Sequence, residues 1–118
     1  MAHYIDGFVL PIPRDRFDEY QRVVEAAAEI WKEHGAIDYC EYVGDDLKLE
    51  GTRSFTEVTS AMENEVIVFG WVVFESKEAR DLANQKVAAD PRMTEIVDSS
   101  NSGFDAKRMA YGGFKPII

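Results

Sequence analysis

The sequence predicts an α+β domain with elements in the order strand, helix, strand, strand, helix, strand. That order folds as a four-stranded antiparallel sheet with both helices on one face. Two observations carry the expectation. The run Val66 to Phe74 is the longest unbroken apolar stretch and is dominated by β-branched and aromatic residues. A strand that is apolar on both sides belongs in the middle of a sheet with both faces covered. Between Arg14 and His34, apolar residues recur at helical spacing, and Gly35 follows as a left-handed stop. Residue chemistry at this level defines a fold and not an activity.

The first element, Tyr4 to Leu10, reads as a strand that ends at Pro11 and Pro13. Tyr4, Asp6, Phe8 and Leu10 share one face, so Asp6 is a carboxylate among bulky apolar neighbours. In the long helix, Phe17, Tyr20, Val24, Ala27 and Trp31 fall on one side, and Val23 and Ile30 widen the stripe. Acidic Asp15, Asp18 and Glu19 near its start and Lys32 and His34 near its end suit the helix dipole. Ala36 to Val43 follows as a strand with Ile37, Tyr39, Glu41 and Val43 on one face. Glu41 is therefore a second carboxylate on a mostly apolar face.

Residues 44–65 form a connection of 22 residues, against about 2–6 between typical sheet elements. Ser54-Phe55-Thr56-Glu57 fits a capping box and predicts a short helix through about Met62. After the central strand, Ser76 caps a helix to Ala89 whose inward residues are Ala79, Leu82, Ala83 and Val87. Asp90-Pro91 ends it and starts a shorter helix carrying Met93, Ile96 and Val97. A polar, mobile loop is expected over 98–103. A last strand is expected from Arg108 to Phe114, with a bulge or a close backbone approach at Gly112-Gly113.

At 118 residues the chain forms one domain, with a formal net charge of −9 from 22 acidic and 13 basic residues. That balance disfavours nucleic acid, whose binding rests on neutralising phosphate. No apolar run reaches the ~20 residues of a membrane span, and the first residues lack the pattern of a signal peptide. A cytoplasmic location is the expectation. Cys40 is the single cysteine, with no helix N-terminus to activate it and no zinc spacing around it. Five tyrosines, seven phenylalanines and two tryptophans are too many to leave facing water, so a second copy of the chain is expected to cover the sheet face opposite the helices.

Several blocks are familiar together: Tyr4-Ile5-Asp6-Gly7-Phe8, Gly35 to Glu41, Asp45-Asp46, Phe69-Gly70-Trp71, Asp90-Pro91-Arg92, and Phe104-Asp105-Ala106-Lys107-Arg108-Met109-Ala110-Tyr111-Gly112-Gly113-Phe114. They resemble the DUF1428 family of small bacterial proteins, over nearly the whole chain. The last block is the most specific. Members usually carry Met-Pro before its Phe-Asp, where this chain has Ser102 and Gly103. The resemblance implies a ferredoxin-like fold assembled as a dimeric α/β barrel, and it brings no settled activity or cofactor.

Candidate site residues carry two readings each. Asp6 and Glu41 suit a general base where burial raises the pKa; as structural charges they would pair with Arg108 or Lys107 across the sheet or reach solvent. His34 is a base or metal ligand, or it caps the helix end and complements the dipole. Asp45-Asp46 with Glu41 offers oxygen ligands, but no calcium-loop spacing is present and no metal is expected. Two classes of function follow. In the first, the dimer encloses a pocket lined by Asp6, Tyr39, Glu41, Trp71, Arg108 and Tyr111 that binds a small, partly apolar molecule. Proton abstraction by Glu41 or Asp6, with Arg108 balancing charge, is the chemistry that lining would carry without a cofactor. In the second, the chain is a non-catalytic dimeric module whose 44–65 segment recruits a partner.

Overall fold

The structure is a computed structural model that describes residues 3–118. Its elements run β1 (Tyr4–Pro13), α1 (Phe17–Glu33), β2 (Asp38–Val43), α2 (Phe55–Thr59), β3 (Glu65–Phe74), α3 (Lys77–Ala89), α4 (Pro91–Asp98) and β4 (Ala110–Phe114). The sheet order is β2-β3-β1-β4, antiparallel throughout. The apolar run is thus an inner strand, as its composition requires. Its partner β1 pairs with it along ten residues, from Tyr4 opposite Phe74 to Pro13 opposite Glu65.

Of the two prolines expected to end β1, the second, Pro13, does so. Pairing continues through Pro13 because β4 stops at Ala110, opposite Val9. Beyond that point β1 has a single neighbour, so proline's missing N–H has no second ladder to break. The expected bulge at Gly112-Gly113 is absent, since Asp6, Gly7 and Phe8 face Gly113, Gly112 and Tyr111 in unbroken register. The close approach is real. A Cβ at Gly113 would lie 2.2 Å from the Tyr4 hydroxyl and 2.5 Å from Arg80 Nη2.

Helix ends follow local chemistry. Arg14–Arg16 form a 3-10 turn before α1, and Gly35 leaves the helix at φ 117. Ser54, Ser76 and Asp90 each accept a backbone N–H as N-cap of α2, α3 and α4. α2 stops at Thr59 rather than Met62, where Ser60 turns left-handed at φ 54. A second 3-10 turn at Ala106–Arg108 shortens the last strand. The 98–103 loop is tied down: Ser102 is buried, Arg16 donates to Asn101 at 2.8 Å, and Gly103 at φ 76 leaves no room for a Cβ against Pro13.

Phe8, Leu10, Ile12, Val68, Val72 and Phe74 point from the sheet into one core, which Tyr20, Ala36 and Ala83 close from the helices. Trp31 of α1 meets Phe74 edge-on at 6.1 Å. Phe74 is wholly buried, and truncating such a side chain to Ala costs about 3–5 kcal/mol. α1, α3 and α4 contact one another around this face. The short α2 lies on the other face, where Phe55 packs edge-on to Phe69 at 5.7 Å. The expectation that both main helices lie on one face therefore holds for α1 and α3, and α4 joins them there, while α2 from the 44–65 connection takes the other face. Beyond α2 the second face is open among the described residues: Tyr42 and Phe114 are 59 and 58% exposed, and Phe69 stays 43% exposed beside Phe55. Tyr42 stacks on Trp71 at 5.3 Å, and Phe69 meets the same indole at 6.0 Å.

Candidate functional site

Strand parity brings the first group together. Tyr39 and Glu41 lie opposite Val72 and Gly70 of β3, on the face covered by α1. Gly70 makes the space: a Cβ there would lie 2.6 Å from the Cys40 carbonyl oxygen, 2.6 Å from Phe8 Cζ and 2.9 Å from Glu41 Cγ. Glu41 turns inward, where the Tyr39 hydroxyl donates to one carboxylate oxygen at 2.6 Å and the Tyr20 hydroxyl of α1 donates to the other. Each phenol supplies one proton, so the pair of bonds is satisfied by an ionised carboxylate. Burial pushes the Glu41 carboxyl above the usual range, and the two phenol hydrogen bonds pull it part of the way back. Burial, and then the neighbouring Glu41 charge, drive both tyrosines far above the ordinary phenol value. They remain donors.

This cluster forms one end of a cavity of about 170 Å³ between the sheet and α1, α4 and the segment leading into β4. Phe8, Trp31, Met93, Val97, Phe104 and Met109 supply much of its apolar wall. Among the described lining residues Glu41 is the single carboxyl group, and none is Lys, Arg or His. Tyr111 closes the β4 side, stacked on Phe8 at 5.8 Å with 13° between the rings. A carboxylate of raised proton affinity in such walls is equipped to take a proton from a bound polar group or return one.

Asp6 lies beneath the cavity rather than in its wall. It is fully buried, accepts from the Tyr111 hydroxyl at 2.7 Å, and faces Arg80 Nε at 3.3 Å without aligning as a hydrogen bond. Arg80 instead donates through Nη2 to the Tyr4 hydroxyl at 2.7 Å and stands over that ring. Burial, with Asp6 as acceptor, raises the Tyr111 phenol.

Of the residues singled out in the sequence, Tyr39, Glu41 and Tyr111 meet at this cavity, and Asp6 reaches it through Tyr111. Three do not belong to it. Trp71 has the opposite strand parity and lies on the bare face with Tyr42. Arg108 leaves the 3-10 turn to clamp Glu65, at 2.5 and 2.8 Å, and holds that buried carboxyl low; neither Asp6 nor Glu41 is its partner. His34 pairs with Asp90 at 2.8 Å, joining the end of α1 to the α3–α4 junction, a contact that neither reading of His34 named. The cavity also lies within one chain, between sheet and helices, and not between two sheets. Asp45 and Asp46 line a separate recess with Arg14 and Glu63, apart from Glu41.

Tyr20, Arg80 and Gly70 take part in this arrangement without being singled out for it in the sequence, although each left a signal. Tyr20 sits on the inward stripe of α1, where its hydroxyl needs a buried partner. Arg80 occupies the inward stripe of α3, three residues before Ala83 and seven before Val87. Gly70 is the one residue without a side chain in the central run.

Sheet order and helix placement define a ferredoxin-like α+β protein, and two solved structures share that fold. One is a nipsnap family protein of unknown function from Agrobacterium tumefaciens: 18% identity, TM-score 0.57, covering 97% of this chain and 87% of that one. The other is described as a dimeric ferredoxin-like protein from an uncultured marine organism: 6% identity, TM-score 0.56, covering 100% and 98%. At these identities the likeness concerns the fold. The family model described as "Protein of unknown function (DUF1428)" matches residues 3–106. The uncharacterized protein YbaA of Escherichia coli K12 is 44% identical over 115 residues, 98% of this chain and 97% of its own, and the Shigella flexneri protein of the same name matches equally. The chain belongs to the DUF1428 family.

Proposed function

We propose that this protein binds a small, mostly apolar molecule in the cavity between its sheet and helices, with the Glu41 carboxylate as the polar pole that orients it. The observation that carries this reading is a cavity of about 170 Å³ with aromatic and aliphatic walls and one convergent acid. The size suits a single substituted ring, since an engineered apolar cavity of about 150 Å³ takes benzene. Glu41, seated by two phenols, is the group that would exchange a proton with the bound molecule.

The same reading makes the working unit a homodimer through the bare sheet face. A row of half-exposed aromatic side chains on an inner and two outer strands supports it, as does the dimeric description of one solved structure of this fold. Leu49, Phe55, Val58 and Met62 of the 44–65 segment are also exposed, and Phe55 of α2 packs on Phe69 of that face, which favours a second copy as the partner that segment engages. We place the protein in the cytoplasm on its acidity; among the described residues no helix is long and apolar enough to cross a membrane.

Native mass spectrometry of the freshly purified chain tests both parts. A dimer of twice 13.4 kDa carrying additional small-molecule mass is expected. A bare monomer that also fails to bind ring-sized fragments would overturn the reading.

A further inference from the structure

Among the described residues, four carboxylates that are buried or partly buried, Asp6, Glu41, Glu65 and Asp90, differ in one respect. Asp6 faces Arg80 at 3.3 Å, Glu65 is clamped by Arg108 from 2.5 Å, and Asp90 is held by His34 and Arg92, both at 2.8 Å. Glu41 is held by two neutral phenols, and among the described residues no cationic side chain stands in ion-pair contact with it. A desolvated carboxylate is costly without a counter-charge, and breaking such pairs is what makes buried charge destabilising. Two of the four or so lone-pair positions on a carboxylate are occupied by the phenols, so acceptor capacity remains. The cavity beside it is walled by the rings of Phe8, Tyr20, Trp31, Tyr39 and Tyr111, whose faces attract cations.

We infer that the cavity selects cationic ligands: small amines, aromatic or of similar bulk, whose ammonium group becomes the missing counter-ion of Glu41. This deepens the binding function proposed above and rests on it. The carboxylate accepts ammonium protons at its free positions while Tyr20 and Tyr39 hold it in place. The hydrocarbon part of the ligand lies against the apolar wall. Carboxylic acids are rejected, since among the described residues no Lys, Arg or His lines the cavity to receive them and Glu41 repels them. The net charge of −9 draws cations toward the surface before they enter.

Three probes of one shape separate the possibilities: benzylamine, benzyl alcohol and benzoate, titrated into the full chain at pH 7 and followed by amide NMR shifts at Tyr39, Val72 and Met93. Benzylamine is expected to bind at least about tenfold more tightly than benzyl alcohol, with benzoate not saturating. In Glu41→Gln the amine should lose its advantage over the alcohol. Equal or tighter binding of the alcohol or of benzoate overturns the charge selection and leaves the pocket itself standing. If none of the three shifts the lining resonances at millimolar concentration, the pocket and its selectivity fall together.

Discussion

Tyr39 and Glu41 stand two residues apart on one face of β2, and the phenol of the first donates to the carboxylate of the second at 2.6 Å. Strand geometry alone makes them neighbours. It does not make them a site. That takes α1, which lays Tyr20 against the free oxygen, and Gly70, which leaves the space both side chains use.

Glu41→Gln should shift the pH dependence of stability. Burial raises the folded-state proton affinity of Glu41, so the folded protein holds that proton to higher pH than the unfolded chain, whose Glu titrates near about 4.3. Wild-type stability therefore falls, relative to the variant, as pH rises from about 4 through the raised value. Urea denaturation at pH 4 and pH 8 is expected to show the variant gaining on wild type at the higher pH. A constant difference between the two would contradict the burial of a titrating Glu41.

Gly70→Ala should damage both fold and site. The added methyl meets a backbone oxygen at 2.6 Å and has nowhere to go, and overpacking of this kind costs about 1–3 kcal/mol. Gly112→Ala is the control: its nearest neighbour is the Phe114 ring at 3.7 Å, and a change within about 0.5 kcal/mol is expected. Equal midpoints for the two variants would show that Gly70 is not under the pressure described.

Arg108→Met leaves Glu65 buried without its clamp. Arg108 is a third exposed, so the cost falls at the low end of that for halving a buried pair, about 3 kcal/mol. The double variant Glu65→Gln/Arg108→Met should recover most of the loss, because no charge is then stranded. A double variant no more stable than the single one would point to lost packing instead.

Asp90→Asn keeps an N-cap acceptor for α4 and removes the charge facing Arg92 and His34. Hydrogen bonds from Arg92 first, then from His34, hold the Asp90 carboxyl well below the ordinary range. The stability it contributes is present above the unfolded value near about 3.9 and is lost as pH falls. Wild type should exceed the variant at pH 7, and the gap should close toward pH 2–3 in thermal melts. A gap independent of pH would assign the effect to the cap alone.

Trp71→Asp places a charge on the bare sheet face, on the opposite side of the sheet from the cavity. Light scattering should show the mass falling from two chains toward one, with benzylamine binding retained. An unchanged mass would move the dimer contact elsewhere.

Periodicity and capping alone determined a large part of this molecule. The stripe on α1, the stops at Gly35 and Asp90-Pro91, the caps at Ser54 and Ser76 and the two inner strands are local patterns, and local patterns are written in consecutive residues. Parity likewise grouped Tyr39 with Glu41, and Asp6 with Phe8. What tertiary structure decided is which side of the sheet the helices cover. Both sides are apolar, so parity has no sign until α1 and α3 pack. That choice sent Trp71 outward and Glu41 inward, and moved the cavity from between two chains to within one. It also chose partners across 43 residues for Arg108 and Glu65 and across 56 for His34 and Asp90. Ion pairs of that separation depend on the packed geometry, and no spacing in the chain encodes them.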